Sequence, residues 1–327
     1  MKPLLEVLIL AALVLSTCAK WIEPVSYKDI LEIDHIYSTT GYARDAYVSN
    51  NIIYVAQDET GIIIFNRGNG SIIWEKNDNP AEYITVLEQD SFMISYDDPT
   101  FHTYNFANFD SVYEIGYGTL TDAYVRHPEL ITINTLKDTF TVSYITKHDF
   151  FIKECFINVY GFWETLETIH WIFYNKDLID YEINEDYIYL AVSQWGLLII
   201  DYNEQIIGIG DTPGQALALK IVGNYAYIAD REAGLQVIDI SDIENPELIY
   251  SFDTSGLAQS VDVEEDYLVV GSGGGGVYLF DVSDKATPKF LDRLDDYYIG
   301  YTYKAILSNG EIFVATKIGV VKLKIND

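Results

Sequence analysis

Two acidic turns contain the residues whose types and spacing come nearest to a cation site. Asp239–Asp242 and Asp281–Asp284 both read Asp-x-Ser-Asp, and each follows an apolar run. Calcium takes about six to eight oxygen ligands at one point, whereas Asp and Ser also cap tight turns by accepting hydrogen bonds from nearby backbone N–H groups. Turn capping explains this spacing better. We therefore expect no cofactor, and calcium is the alternative.

A run of glycines resembles a phosphate cradle in composition. Gly271–Gly276 reads Gly-Ser-Gly-Gly-Gly-Gly. A phosphate loop leads into a helix and usually carries a Lys followed by Ser or Thr, because the helix N-terminus and the lysine hold the anion. Here the strand-like Val277–Phe280 follows instead. The run therefore predicts a hairpin turn.

The rest of the chain has no spacing typical of a catalytic or metal site. It contains no Gly-x-Ser-x-Gly elbow and no Walker-type loop. Carboxylates are abundant, but abundance does not identify a pair that could cleave a glycosidic bond. The five histidines show no pairing four residues apart; they are His35, His102, His127, His148 and His170. We therefore assign no catalytic, cofactor-binding or metal-ligating residue.

The charge of the chain excludes one class of partner. Lys and Arg number 20 and Asp and Glu number 50, which gives a net charge of −30 at pH 7. Nucleic-acid binding needs a basic surface, so nucleic acid is excluded. The same charge disfavours electrostatic docking onto anionic lipid. Hydrophobic residues make up 49% of the chain, enough for a packed core.

A sequence unit recurs along the chain. An apolar run, such as Asn224–Ala229, is followed five residues later by a glycine and a second apolar run, here Gly234–Asp239. The residues that mark the end of the first run are Ala56, Ser95, Ile133, Ala191, Ala229, Gly271 and Ala315. Their spacings of 39, 38, 58, 38, 42 and 44 residues indicate seven units, with about 20 additional residues around 145–176.

The composition of each unit predicts four short strands. The runs are β-branched and aromatic, and Gly, Asn, Asp and Pro bound them. A period of about 40 residues with four strands is typical of a propeller blade. We therefore predict an all-β, seven-bladed β-propeller with four-stranded antiparallel blades, six or eight blades being the alternatives. Residues 30–327 would form this single domain, with an insertion around 145–176.

The two ends of the array predict how the ring closes. The last unit supplies three strands, near 303–307, 311–316 and 319–325, while the strand-like Ile30–Tyr37 precedes the first unit. Placed beside residues 319–325, this N-terminal strand would complete the last blade. It would also cover an edge that an open sheet must otherwise protect.

Two of these units resemble a known repeat family. Gly234–Asp242 and Gly276–Asp284, followed by Pro246 and Pro288, are similar to the LVIVD repeat of bacterial and archaeal surface proteins. The resemblance is strong over 177–295, fair over 41–76 and 296–327, and weak over 77–176. It implies a β-propeller exported to the cell surface, and it brings no catalytic residues.

The first residues have the composition of an export signal. Met1–Ala19 has one lysine, then an apolar run too short to cross a hydrocarbon core of about 30 Å, then small residues. Leu15–Cys18 resembles a bacterial lipobox, in which the chain is cut before the cysteine and the cysteine is lipidated. We predict a signal peptide over 1–17, lipidation at Cys18 and a lipid-anchored tether over 18–29. Cleavage after Ala19 or a retained N-terminal anchor are the alternatives.

Aromatic residues are the one compositional excess that could bind a ligand. We expect most of them to fill the core between blades, although exposed aromatic side chains also stack on sugars or anchor proteins. Two dense stretches are Phe162, Trp163, Trp171, Phe173 and Tyr174, and Tyr297, Tyr298, Tyr301 and Tyr303.

Together these features predict an exported, envelope-anchored propeller that acts as a non-catalytic binding or scaffold module. We expect a monomer attached by its lipid alone to the outer membrane or cell surface, where it binds a protein or a glycan. A secreted or periplasmic form is the alternative location. An exported hydrolase with carboxylates at the propeller channel, or a carbohydrate-binding surface protein, are the alternative functions. A hydrolase would place carboxylates with perturbed pKa values at one mouth of the channel.

Overall fold

A computed structural model describes the protein over residues 30–77, 80–88, 91–96, 100–108, 111–119, 126–134, 139–145, 149–157, 163–173, 176–203 and 205–326. Within these ranges the strands form seven four-stranded antiparallel sheets. The predicted all-β fold with four-stranded antiparallel blades is confirmed. In the same ranges no helix is long and apolar enough to cross a membrane.

The sheets follow the chain in order. The strands are β1 (Leu31–Ser38), β2 (Ala43–Val48), β3 (Ile52–Gln57), β4 (Gly61–Asn66), β5 (Ile72–Lys76), β6 (Ala81–Glu88), β7 (Ser91–Tyr96), β8 (Thr100–Asn108), β9 (Ser111–Thr119), β10 (Arg126–Asn134), β11 (Thr139–Ile145), β12 (Asp149–Ile157), β13 (Trp163–Ile172), β14 (Leu178–Ile183), β15 (Tyr187–Val192), β16 (Gly196–Asp201), β17 (Ile206–Gly210), β18 (Ala218–Val222), β19 (Tyr225–Ala229), β20 (Leu235–Asp239), β21 (Glu247–Phe252), β22 (Ser260–Glu264), β23 (Tyr267–Gly271), β24 (Val277–Asp281), β25 (Lys289–Leu294), β26 (Thr302–Ser308), β27 (Glu311–Thr316) and β28 (Gly319–Ile325). A 3₁₀ turn spans Ser193–Trp195, and the short helix α1 spans Asp296–Ile299. Six sheets are β2–β5, β6–β9, β10–β13, β14–β17, β18–β21 and β22–β25; the seventh has the order β1-β28-β27-β26.

The N-terminal strand closes the last sheet, as the sequence predicts. β1 pairs antiparallel with β28, with Leu31 opposite Ile325 and Ser38 opposite Gly319. The buried Asp292 carboxylate in β25 also accepts hydrogen bonds from the Ile30 and Leu31 N–H groups, each at 2.9 Å. The strand is therefore held by its own sheet and by the preceding one.

The first strands of the sheets form a closed ring. β2 contacts β6, β6 contacts β10, and the series continues through β14, β18, β22 and β26 back to β2. In the sheets whose side chains are described, the second and third strands are almost wholly buried; β3 is buried at every position. Neighbouring sheets cover both faces of these strands, which is why they read as continuous apolar runs rather than alternating ones.

Aromatic side chains fill the space between sheets, as expected. Phe252 of β21 packs against Phe280 of β24 and Phe290 of β25, with ring centroids 5.0 and 5.5 Å apart. Tyr278 joins the same cluster. Such rings bury large apolar areas between two sheets that face each other.

The ends of the sheets form two faces of different composition. Because consecutive strands are antiparallel, the connections between sheets lie on the same side as the turns between second and third strands; we call this side the linker face. The opposite side, the turn face, carries the acidic turns Asp239–Asp242 and Asp281–Asp284. Ile30 enters the fold on the turn face, where its carbonyl accepts the Asn326 N–H at 2.8 Å.

The middle of the array differs from the predicted register. Ile133 was assigned to the second strand of its unit, but it lies in β10, the first strand of its sheet, opposite Phe140 of β11. The misassignment has a physical cause. Gly118 lies in β9, the last strand of the preceding sheet, and eight residues before β10 begins, whereas Gly41 lies two residues before β2. The 15-residue offset from Gly118 therefore ends in the first strand of the sheet and not in the second. In the range 145–176, where an insertion is predicted, the structure describes β12 and β13, the third and fourth strands of their sheet. Residues 146–148, 158–162 and 174–175 lie outside the described ranges, so the insertion stays a prediction.

The N-terminal predictions fall on residues that the structure does not describe. The signal peptide over 1–17, the lipidated Cys18 and the tether over 18–29 all lie outside the described ranges. They are therefore still predictions from the sequence. Cys155, the other cysteine, lies on β12 opposite Phe140.

Candidate functional site

The first strands surround a cavity at the centre of the ring. Its volume is about 630 Å³, and its walls come from β2, β6, β14, β18, β22 and β26. The lining includes six charged side chains that form contacts between sheets: Asp45, Asp180, Glu182, Lys220, Asp262 and Lys304. This is the channel where a propeller hydrolase would carry its carboxylates.

Most of these carboxylates accept a backbone hydrogen bond from the next sheet. We call the side chains that do so rung residues. The pairs are Asp45 with the Ile84 N–H (3.1 Å), Asp180 with Leu219 (3.0 Å), Glu182 with Ile221 (2.7 Å), Ser260 with Ala305 (2.9 Å), Asp262 with Leu307 (2.9 Å) and Glu264 with Asn309 (2.9 Å). Acceptor and donor advance together by two residues, so neighbouring first strands run parallel. Each first strand has an edge without a β partner, and an unsatisfied buried N–H costs about 1–3 kcal/mol. The rung residues remove this cost.

Two lysines of the first strands, Lys220 and Lys304, form ion pairs with these carboxylates. Lys304 Nζ lies 2.6 Å from Asp45 Oδ1, and Lys220 Nζ lies 2.9 Å from Glu182 Oε1 and 4.0 Å from Asp262 Oδ1. Each lysine therefore bridges first strands of neighbouring sheets. The channel wall is an alternating charge network.

The pKa values of three charged groups in this channel, Glu182, Asp262 and Lys304, are shifted. Burial raises the pKa of Glu182, although the Lys220 ammonium and the Ile221 N–H act in the opposite direction. It also raises the pKa of Asp262. Burial alone would lower the pKa of Lys304, but the attraction of Asp45 outweighs it and the pKa is raised. Structural ion-pair networks shift pKa values as active sites do, and both oxygens of Glu182 already have partners in this network.

A second buried carboxylate holds a connection between sheets. Asp230 has no exposed surface; its Oδ1 accepts from Thr212 Oγ1 and its Oδ2 from the Gly214 N–H, both at 2.8 Å. Burial raises the pKa of Asp230 to about 6. Gln57 performs the same task in the first sheet, where its Oε1 accepts the Gly41 N–H at 3.1 Å. Both residues fasten the incoming linker to the turn after the second strand.

The two acidic turns cap themselves, which confirms the turn-capping interpretation. Asp239 Oδ1 accepts the Ser241 N–H and Asp281 Oδ1 accepts the Ser283 N–H, each at 2.8 Å. Hydrogen bonds from the Ser241 and Ser283 side chains, and next from these backbone N–H groups, lower the pKa values of both aspartates. Over the described part of the chain, no group of three or more His, Cys, Asp or Glu side chains is placed to hold a metal ion.

The glycine run forms the predicted hairpin turn, with Gly271 opposite Val277. A Cβ on Gly275 would lie 1.5 Å from the Ser255 carbonyl oxygen, so this turn packs directly on the preceding linker. Of the five histidines, His35 has a described side chain, and its ring packs edge-on against Tyr37 at 4.5 Å.

The aromatic stretch on the linker face has two exposed and two half-buried rings. Tyr297 and Tyr298 on α1 are 86% and 61% exposed. Tyr301 accepts a hydrogen bond from Gln259 Nε2 at 2.5 Å, and the Tyr303 ring lies 4.8 Å from the Arg44 guanidinium. In the other aromatic stretch, Trp163 and Trp171 lie on β13, Phe173 packs against the core, and Phe162 and Tyr174 are outside the described ranges.

The rung residues and the two channel lysines were not identified from the sequence, although a signal for them exists. Asp45, Asp180, Ser260 and Lys304 each precede the repeat marker of their unit by 11 residues. Glu182, Lys220 and Asp262 each precede it by 9 residues. A fixed offset shared by polar side chains, within a strand that must bury one edge, would have located them.

Comparison with known sequences identifies the repeat. The model of the LVIVD repeat matches residues 40–65, 179–202, 213–254 and 255–296. No curated protein matches this chain.

Solved structures share the fold at low sequence identity. The β-propeller domain of Myceliophteria thermophila Cps50 (Swd1) superposes with a TM-score of 0.65 at 10% identity, covering 90% of this chain and 98% of that one. A chain of the mitotic checkpoint complex gives a TM-score of 0.68 at 10% identity, covering 94% and 96%. Chaetomium thermophilum Raptor gives 0.68 at 10% identity, covering 90% of this chain and 29% of that one. Likeness at this identity shows the fold alone.

Proposed function

We propose that this chain, a β-propeller that matches the LVIVD repeat over four segments, is an exported, envelope-anchored module that binds protein and performs no catalysis. One observation carries the proposal: the channel carboxylates serve as rung residues. In Asp180, Glu182 and Asp262, one carboxylate oxygen accepts a hydrogen bond from a backbone N–H of the next sheet. The second oxygens of two of them also have partners, since Glu182 Oε1 is paired with Lys220 and Asp262 Oδ1 accepts the Val263 N–H. A general acid or nucleophile needs an oxygen that can reach a substrate.

The point at which the chain enters the fold determines which face the proposed anchor would hold toward the membrane. Ile30 lies on the turn face, so a tether over 18–29 would leave from that side. Twelve residues reach at most about 40 Å when extended. A lipid on Cys18 would then hold the acidic turn face toward the membrane and leave the linker face pointing outward.

A protein is the partner that the neighbouring structures favour. One of the similar folds belongs to the mitotic checkpoint complex, where a propeller works as part of a protein assembly. A rigid ring with many independent loops suits this task, because the loops present side chains while the sheets stay fixed.

Cross-linking in the native envelope tests the proposal. The full chain carrying an affinity tag would be cross-linked in cells and purified beside Glu182→Gln, which keeps an acceptor for the Ile221 N–H. We expect the same protein to be captured with both chains. Capture of no protein above the untagged control would overturn the binding function, and a hydrolytic activity lost in Glu182→Gln would overturn the non-catalytic assignment.

A further inference from the structure

We propose that Asn69, in the turn between β4 and β5, is a site of intramolecular deamidation, and that its product loosens the strand that closes the ring. The chain contains two Asn-Gly pairs, Asn69–Gly70 and Asn309–Gly310. In such a pair the backbone nitrogen of the glycine can attack the side-chain amide, since the glycine has no Cβ to obstruct the approach. Both asparagines are exposed on the turn face, so the contacts of each pair determine whether it reacts.

The reaction needs no partner other than water. The Gly70 nitrogen loses its proton to a base in solution and forms a bond to Asn69 Cγ, while the bond between Cγ and Nδ2 breaks. Nδ2 leaves as ammonia with a proton from solvent, and the product is a five-membered succinimide. Water then opens this ring at one of its two carbonyls, which gives an aspartyl or an isoaspartyl residue at position 69. Neither an oxidant nor a reductant is required.

The Asn69 side chain is held in a conformation that favours the attack. Its Oδ1 accepts the Ser71 N–H at 3.0 Å, which forms an Asx turn. The side chain therefore folds back along the main chain and keeps Cγ close to the Gly70 nitrogen. The same N–H polarises the side-chain carbonyl and stabilises the negative charge that develops on Oδ1 during the attack. Because Asn69 is exposed, ammonia leaves directly into solvent.

The hydrogen bond of the reacting glycine differs between the two pairs. The Gly70 N–H donates to the neutral Asn66 carbonyl of the same turn at 2.9 Å, and exposed turns open at low free energy. The Gly310 N–H instead donates to the Glu264 carboxylate at 2.8 Å, and the other oxygen of that carboxylate accepts the Asn309 N–H at 2.9 Å. Hydrogen bonds to an ionised acceptor are about twice as strong as neutral ones. The second pair is therefore held in its folded conformation, and we expect Asn69 to react first.

The reacting turn lies against the N-terminal strand. A Cβ on Gly70 would lie 2.6 Å from His35 Nε2, and the Arg67 carbonyl accepts the Tyr37 hydroxyl at 2.5 Å. His35 and Tyr37 both belong to β1. An isoaspartyl link at position 69 adds a carbon atom to the main chain between these two contacts. One contact would then shift relative to the other, which loosens the hold of the turn on β1.

Peptide mass spectrometry tests the chemistry on the full chain, incubated in mild detergent in water enriched in oxygen-18. Opening of the succinimide takes up an oxygen atom from this water, so the mass of the peptide rises by about 3 Da instead of about 1 Da. Asn309 in the same sample is the matched control. A second sample in urea keeps the chain unfolded, so that both pairs lose their contacts. Asn69→Gln removes the reaction, because its longer side chain would have to close a six-membered ring.

We expect Asn69 to convert about tenfold faster than Asn309 in the folded chain, and the two to convert at about the same rate in urea. No conversion at Asn69, or equal rates at the two asparagines in the folded chain, would overturn the inference. Conversion at Asn69 without uptake of oxygen-18 would exclude the succinimide and overturn it as well.

Thermal denaturation tests the effect on β1. After incubation, we expect the chain with Asn69 to melt at a lower temperature than Asn69→Gln, whereas the two should melt alike before incubation. Equal melting temperatures after complete conversion would overturn the loosening of β1. Neither measurement involves a partner, so its outcome is independent of the proposed binding function.

Discussion

Lys304 in the last sheet and Asp45 in the first are joined across the closure of the ring, with Lys304 Nζ 2.6 Å from Asp45 Oδ1. The residues are 259 positions apart in the chain. The other oxygen of Asp45 accepts the Ile84 N–H of the following sheet at 3.1 Å. Asp45 therefore connects three successive first strands at the closure: its own strand β2, β26 through Lys304, and β6 through the Ile84 N–H.

Replacing the lysine should therefore weaken the closure. Lys304→Met keeps the length of the side chain but leaves the Asp45 carboxylate without its cation, and we expect the free energy of unfolding to fall by about 2 kcal/mol. Urea denaturation measures this change. Lys289→Met removes an exposed lysine and should have no measurable effect. Equal midpoints for the two variants would contradict the role given to the pair.

Asp230 predicts a defined pH dependence of stability. Burial raises its pKa to about 6 in the folded chain, above the ordinary value of 3.8. The folded state therefore binds a proton more tightly than the unfolded state, so this carboxyl group stabilises the fold below about pH 4 and loses that contribution as the pH rises through 6. A shift of about two units corresponds to about 3 kcal/mol.

Asp230→Asn isolates this effect. The amide can accept the Gly214 N–H and donate to Thr212 Oγ1, so the linker stays fastened while the titration disappears. We expect the stability difference between the two chains to change by about 3 kcal/mol between pH 4 and pH 7, with the variant relatively more stable at pH 7. Denaturation curves at several pH values measure the difference. A difference that is constant with pH would show that Asp230 titrates normally.

The order of the strands could be predicted from the sequence because glycines recur at a fixed distance from the second strand of several repeats. Gly214 and Gly256 precede their markers by 15 residues, since each glycine lies where the linker packs closely on the next turn. Ile133 was misplaced because β10 is itself an apolar run, and an apolar run alone does not distinguish a first strand from a second. The N–H groups that Asp45 and Asp262 accept from the next sheet could not be predicted, because a backbone group has no sequence signature.

The glycine run predicts a contrast between two neighbouring positions. A Cβ on Gly275 would meet the Ser255 carbonyl oxygen at 1.5 Å, whereas on Gly274 it would come no closer than 3.9 Å to Asp296 Oδ2. We expect Gly275→Ala to destabilise the fold by about 3 kcal/mol and Gly274→Ala to leave it nearly unchanged. Thermal melts of both variants measure the contrast. Similar melting temperatures would mean that the turn adapts without cost.

The N-terminal strand predicts the effect of a truncation. Deleting residues 20–38 removes β1, exposes the edge of β28 and leaves Asp292 without the Ile30 and Leu31 N–H groups. We expect a lower and less cooperative thermal transition, with a tendency to associate through the free edge. Calorimetry and light scattering measure the two effects. A truncated chain that melts like the full one would contradict closure by β1.

The proposed lipid anchor predicts that replacing the sulfur atom of Cys18 by oxygen changes the location of the protein. Lipidation at Cys18 would supply membrane affinity by burying acyl CH₂ groups, at about 0.8 kcal/mol each, which outweighs repulsion between an acidic domain and an anionic surface. Cys18→Ser removes the acylated sulfur. We expect the variant to lose labelling by a palmitate analogue and to appear as unprocessed precursor or as soluble protein.

Cys155→Ser is the matched control, because Cys155 lies on β12 within a sheet and is the other cysteine of the chain. We expect this variant to keep both the label and its membrane fraction, since the proposed anchor uses Cys18 alone. Labelling that is lost in Cys155→Ser would show that Cys155 carries the acyl group and would contradict lipidation at Cys18. Membrane fractionation that is unchanged in Cys18→Ser, together with no lipid mass on the unmodified chain, would remove the anchor and leave cleavage after Ala19 as the better interpretation of the signal segment.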